Sequence, residues 1–230
     1  MYNPDWLKYC KRVVRTGLGY DHLLRPDRSL DCAHIGSEYG GWVVATGRLA
    51  QTALPIVLSF GLGDDISFDE TVCAKFGAKV YGFDPTPASL NWIATRDIPA
   101  EMEIFPIGIA CMDGKQTFAI PIKEERGNYS VKTRRGAGIS CDVMRYTSIL
   151  AMLKLSRVDI LKLDVEGSEY DVIPEILDSP VRPTQLLVEF HHRLHNIHVN
   201  QTLAAVRKIR QAGYFLFSVS SGGREMSFAQ

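Results

Sequence analysis

The sequence predicts an α/β fold: a mostly parallel sheet with helices on both faces. Three observations carry this. Short apolar or β-branched runs recur at residues 56–60, 79–83, 103–110, 158–163, 185–190 and 214–219, and most are nearly continuous, as in strands buried on both faces. Helix-like segments fall between several of them, at 68–76, 88–95, 169–177 and 201–212. No repeat, low-complexity tract or linker interrupts the pattern, and 230 residues suffice for one full core.

Residues 1–50 form a polar, helix-leaning lead-in or lid ahead of a domain at 51–230. Trp6, Cys10, Val13 and Val14 recur at helical spacing, and Gly17 and Gly19 close that segment. The stretch Gly36-Ser37-Glu38-Tyr39-Gly40-Gly41-Trp42 reads as too irregular for an element, with Tyr39 and Trp42 placed to lid a ligand or pack in the core. The first strand, 56–60, runs through Gly61 and Gly63 into a helix opened by Ser67 and Glu70, a capping-box pair, and closed by Gly77. Between residues 111 and 135 the rhythm breaks. Asp113-Gly114 marks a turn between 107–110 and 117–122, which predicts a hairpin or an extended loop.

Composition removes several function classes. With 46% hydrophobic residues, Gly 19 and Pro 11, the chain is neither disordered nor fibrous. No apolar run reaches the roughly 18–20 residues that span a bilayer, so no membrane association is expected. The first residues lack the basic and apolar regions of a signal peptide, and the five scattered cysteines never form CxxC; both suggest a cytoplasmic, reducing setting. Lys plus Arg at 26 balance Asp plus Glu at 26, which argues against a nucleic-acid surface.

The strand–Gly61-Leu62-Gly63–helix unit lets backbone approach a ligand across the strand's carboxyl end. Asp84 ends the next strand, 21 positions beyond Gly63, where a carboxylate accepts ribose hydroxyls. A dinucleotide fingerprint wants glycine where Ile66 stands, and Asp64 and Asp65 would repel a diphosphate at the helix N-terminus. S-adenosylmethionine carries a sulfonium and an ammonium but no phosphate, and suits these acids better. Farther on, the strand 158–163 discharges Asp164, Glu166 and Glu169 around Gly167, at the sheet edge where open α/β folds bind ligands. Glu169 falls in a helix's first turn, where an acid also serves the helix dipole.

These residues bring a resemblance. The string VDILKLDVEGSEYDVI resembles the signature of the FkbM family of S-adenosylmethionine-dependent methyltransferases; SFGLGDD with VYGFDPTP is similar to its cofactor loop and ribose acid, and QLLVEFHHR to a strand end that follows. The resemblance covers about residues 55–220. It implies a class I, Rossmann-like, seven-stranded mostly parallel sheet whose last strand is antiparallel, and O-methylation of a sugar or other small-molecule hydroxyl. It implies cofactor contacts from Phe60, Gly61, Leu62, Gly63, Asp64, Asp84 and Pro85, with Ile107 and Gly108 where adenine docks. Ser59-Phe60 replaces the acid that many methyltransferases carry before the first glycine, leaving Asp64 or Glu38 to meet the methionine ammonium.

Four of six histidines, His191, His192, His195 and His198, fall within eight residues. A hydroxyl nucleophile must lose its proton, and His191 at a strand end is the first candidate base, Glu166 the second, with Asp164 beside them. Asp164, Glu189 and His191 also form a candidate divalent-metal set. Lys132, Arg134 and Arg135 make a small basic patch. The competing functions are amino-group methylation of nucleic acid, which usually wants [ND]PP[YF] where Asp164-Val165-Glu166-Gly167 stands, a non-catalytic adenosine-ligand module, and a dehydrogenase.

Overall fold

The structure is a computed structural model, and it describes residues 4–119, 138–194 and 197–230. The lead-in opens with helix α1 (Pro4–Gly17). It continues into an antiparallel hairpin, β1 (Cys32–Ile35) with β2 (Trp42–Ala45), and a short turn of helix, α2 (Thr46–Leu49). The glycine-rich stretch expected to be irregular is therefore the connection of a hairpin. Its hold on the body is specific: Gln185 accepts the Ala45 N–H at 2.8 Å and donates to the Ala45 carbonyl at 3.0 Å.

The alternating units follow. They are β3 (Ile56–Phe60), α3 (Ser67–Phe76), β4 (Lys79–Phe83), α4 (Pro87–Ile93) and β5 (Met102–Phe105). The run expected as one strand over 103–110 is two pieces. Pro106 has no N–H to give a ladder, and the chain leaves the main sheet there to form β6 (Gly108–Ile109). β7 (Gly114–Ala119) and β8 (Gly138–Met144) complete a three-stranded side sheet in the order β6-β8-β7. The Asp113-Gly114 turn thus does not join neighbouring strands as expected: β7 pairs antiparallel with β8, and β6 lies parallel on its other edge. Cys141 and Val143 are buried between the exposed Ser140 and Asp142, the period-two pattern of a half-buried strand.

The remaining elements are α5 (Tyr146–Leu153), β9 (Ile160–Leu163), α6 (Glu169–Asp178), β10 (Gln185–Glu189), α7 (Val199–Gln211), β11 (Phe215–Val219) and β12 (Glu225–Ala229). Seven strands form the main sheet, in the order β11-β12-β10-β9-β3-β4-β5. All are parallel except β12, which runs against both β10 and β11. This is the Rossmann-like class I architecture expected.

Strand alternation divides the core between the two faces. Leu58, Leu161 and Val188 pack with α5, α6 and α7 through Ile149, Ile173 and Ile209. Val57, Ile160 and Leu187 point the other way, toward α2, α3 and α4 through Leu49, Val72 and Ile93. Each fully buried aliphatic side chain contributes about 1.5–3 kcal/mol. The strand order turns back between β3 and β9, the switch point that opens a crevice at the strands' carboxyl ends.

One cap differs from the sequence reading. Ser67 is the first residue of α3 and makes no capping box; the Asp65 carboxylate takes the Ser67 N–H at 2.9 Å. The Ser67 hydroxyl instead accepts the N–H of Ser37 at 2.8 Å, and the Ser37 hydroxyl donates to Asp65 at 2.6 Å. The hairpin connection is thus pinned onto the start of α3. Gly77 ends α3 as expected, at φ 59 with its N–H on the Cys73 carbonyl at 2.9 Å.

Candidate active site at the strand switch point

A cavity of about 1040 Å³ opens over the carboxyl ends of β3, β4 and β9. Phe60, Gly61, Leu62, Gly63, Asp64, Asp84, Pro85 and Gly108 all line it, which brings together eight of the nine expected cofactor contacts. Ile107 is the exception: it packs against the core, and Ile109 lines the cavity instead, because the break at Pro106 shifts which residue faces inward. Phe60 and Phe83 line it as stacked rings, 4.7 Å between centroids.

The glycine loop has a physical requirement at its first position. Gly61 stands at φ 80, and a Cβ there would overlap the Asp164 carbonyl oxygen. At Gly63, φ 59, a Cβ would meet nothing within 4 Å. Lys162, buried in β9, donates to the Gly61 carbonyl at 2.6 Å and ties the loop to the neighbouring strand. The sequence reading passed over Lys162, although a lysine inside the apolar run Ile160-Leu161-Lys162-Leu163 is itself a signal.

Asp84 is engaged more deeply than a ribose acid alone would be. Its Oδ2 accepts the N–H groups of Leu62 and Gly63 at 3.0 and 3.1 Å, while Oδ1 accepts the Thr86 N–H at 2.9 Å and its hydroxyl at 2.6 Å. A carboxylate has about four acceptor positions, so these bonds use its capacity to shape the loop. Asp65 is likewise structural, and Asp64 and Glu38 stay exposed at the cavity wall. Trp42 is buried in the core and Tyr39 is exposed at the rim.

Asp164, Glu166 and Glu189 line the opposite wall. β9 ends at Leu163, and Glu166 adopts φ 47, a left-handed conformation costing of order 1–3 kcal/mol that turns the chain into α6. Burial raises the pKa of Glu166, and the charges of Asp164 and Glu169 add to the rise. Burial, with Asp164 beside it, also pushes Glu189 up, although Arg224 lies 2.7 Å away.

His191 does not line the cavity. It is 2% exposed and stands behind these acids, with Nε2 3.5 Å from Glu166, 3.6 Å from Asp164 and 3.9 Å from Glu189. Glu169, fully buried, lies 3.4 Å from Nδ1 and accepts the His191 N–H at 2.8 Å. Burial by itself would lower the imidazole's pKa, but Glu169, then Glu166 and Asp164, outweigh it and raise it to about 10. The imidazole, expected as a base, is thus placed against the acids and not on the cavity lining. Glu169 serves the interior as well as the helix dipole.

The ligand atoms of Asp164, Glu166 and His191 lie within 4.8 Å of one another, the spacing of a metal set. The trio differs from the one expected, since Glu189 is drawn off by Arg224. His192 is buried: Nδ1 is 3.2 Å from the Thr202 hydroxyl and Nε2 3.4 Å from Asp21. His198 precedes α7 and gives its N–H to Gln201 at 3.0 Å. His195 and the basic patch at Lys132, Arg134 and Arg135 lie outside the described residues.

No helix among the described residues is long and apolar enough to cross a membrane. No curated protein matches the sequence. Among solved structures, the chain aligns with a provisionally named transferase from Pyrococcus horikoshii at 10% identity and a TM-score of 0.37, over 98% of this chain and 82% of that one, a likeness too distant to bear on function. The family comparison is of a different strength. The methyltransferase FkbM domain matches residues 33–216, a span that holds the glycine loop, Asp84, Asp164, Glu166 and Glu189. The chain therefore belongs to the FkbM methyltransferase family.

Proposed function

We propose that the protein transfers a methyl group from S-adenosylmethionine to a hydroxyl of a small molecule or sugar. The observation that carries this reading is the pairing, in one cavity, of a glycine loop with a wall of carboxylates. The open space beside Gly63 gives the cofactor a cradle that a side chain would fill, and a sulfonium and an ammonium suit acidic walls. When bound, S-adenosylmethionine supplies an electrophilic methyl carbon for in-line displacement by the hydroxyl oxygen.

The chain's own residues then have distinct tasks. Lys162 and Asp84 hold the glycine loop in shape. Glu166 takes the hydroxyl proton, since burial raises its pKa toward the range where a carboxylate is a competent base. His191 and Glu169 fix the wall from behind. Calorimetric titration with S-adenosylhomocysteine tests the reading: binding at micromolar to low millimolar concentration is expected, and none at millimolar concentration would overturn it.

A second reading has its own observation. Asp164, Glu166 and His191 are spaced to ligate a divalent cation, and Glu169 behind Nδ1 is the outer carboxylate that commonly orients a metal-bound histidine. A metal held there would supply Lewis acidity to the hydroxyl. Metal analysis of the purified protein, with activity before and after EDTA, separates the two: a stoichiometric cation and lost activity favour the metal.

A further inference from the structure

The acids of the cavity share its lining with a set of cations. α1 contributes Lys8, Lys11, Arg12 and Arg15 to the lining, residues at three- and four-position spacing that share one face of the helix. The helix is fixed in place by Arg12. Its buried guanidinium donates to the carbonyls of His22 at 2.8 Å and Leu24 at 3.3 Å, in the segment that follows α1, and to that of Ser220 at 3.3 Å, in the connection between β11 and β12.

The cations of the cavity divide by partner. Arg224 is committed to Glu189 at 2.7 Å, Arg193 to Asp21, and Arg12 to backbone carbonyls. Lys11 and Arg15 are exposed at the rim and make no ion pair or side-chain hydrogen bond among the described residues. A cavity of about 1040 Å³ lies at the upper end of the roughly 300–1,000 Å³ typical of small-ligand sites, so it has room for an acceptor beside a cofactor.

We propose that the acceptor is an anion, a hydroxylated molecule bearing a phosphate or carboxylate group, held at the rim by Lys11 and Arg15. Carboxylates at the strand ends suit the cationic cofactor, and the exposed α1 cations on the same cavity lining suit an oxyanion. Arg15 offers a planar fork for two parallel hydrogen bonds, and Lys11 a point charge. This inference rests on the methyltransferase reading above but concerns a different part of the cavity.

Calorimetry with two flexible anions tests it without assuming the acceptor's skeleton. Tripolyphosphate is the phosphate arm, tricarballylate the carboxylate arm, and glycerol the neutral control. Each is titrated into the free protein and into its S-adenosylhomocysteine complex. The variants are Lys11→Glu with Arg15→Glu, and a charge-matched control, Lys75→Glu with Lys208→Glu, whose positions are exposed and off the cavity lining. At least one anion should bind the wild type and the control at least about tenfold more tightly than the Lys11/Arg15 variant, and more weakly as salt rises. The anion that shows this preference identifies the oxyanion class. The proposal is overturned if neither anion binds, or if both double variants weaken binding equally. A failure of S-adenosylhomocysteine to bind would count against the methyltransferase reading alone, because the free-protein titrations still decide the anion site.

Discussion

The Glu169 carboxylate is fully buried against His191, accepting its backbone N–H at 2.8 Å and lying 3.4 Å from its Nδ1. The same carboxylate accepts the Gly167 N–H at 2.8 Å, so one side chain joins the turn after β9 to the end of β10. Replacing it with alanine leaves two buried N–H donors unpaired and an imidazole without its nearest counter-charge. Glu169→Ala should destabilise the protein by about 3–5 kcal/mol in chemical denaturation. Glu169→Gln keeps an acceptor oxygen and should cost clearly less.

The two loop glycines should respond differently to alanine. Gly61→Ala drives a Cβ into the Asp164 carbonyl and should abolish S-adenosylhomocysteine binding, with a lowered melting temperature. Gly63→Ala meets no protein atom and should cost about 1 kcal/mol of stability for its positive φ, while its methyl enters the cofactor's cradle and weakens S-adenosylhomocysteine binding. Equal melting temperatures for the two variants would contradict the close approach of β3 and β9.

Asp84→Asn replaces an oxygen that accepts two hydrogen bonds with an amide that can only donate. Whichever way the amide turns, two of the four donors around it lose their acceptor. Affinity for S-adenosylhomocysteine should fall at least about tenfold by calorimetry. An unchanged affinity would mean that the loop is shaped by other contacts.

Acid should weaken the attachment of the lead-in. Burial first, then the charge of Arg12, lowers the pKa of His22 to about 4, and burial also lowers His192. The unfolded chain takes up a proton near pH 6.5 that the folded His22 refuses until about pH 4. Stability should therefore fall as pH drops through that window, by no more than about 3 kcal/mol for this residue. His22→Asn, which keeps an acceptor for the Leu24 N–H, should flatten the slope measured by denaturation at several pH values.

The sheet was legible because its central strands are buried on both faces and so are apolar without interruption. β12 was not legible because Glu225-Met226-Ser227-Phe228-Ala229 mixes polar and apolar residues, although it pairs with the nearby β11 as well as with β10. The acids after β9 were legible from the position of a strand end. The place of His191 was not: a strand end suggests a side chain at the cavity, but β10 stops at Glu189 and the imidazole lies behind the acids. Nor does sequence show where an amphipathic helix docks. Lys11 and Arg15 reach the cavity lining only because Arg12 fixes α1 beside it.

The most direct test of the central claim is a crystal structure with S-adenosylhomocysteine bound. The ligand should lie across residues 60–63, its sulfur facing the space before Asp164 and Glu166. Density at any other place, or a sulfur turned away from those carboxylates, would contradict it.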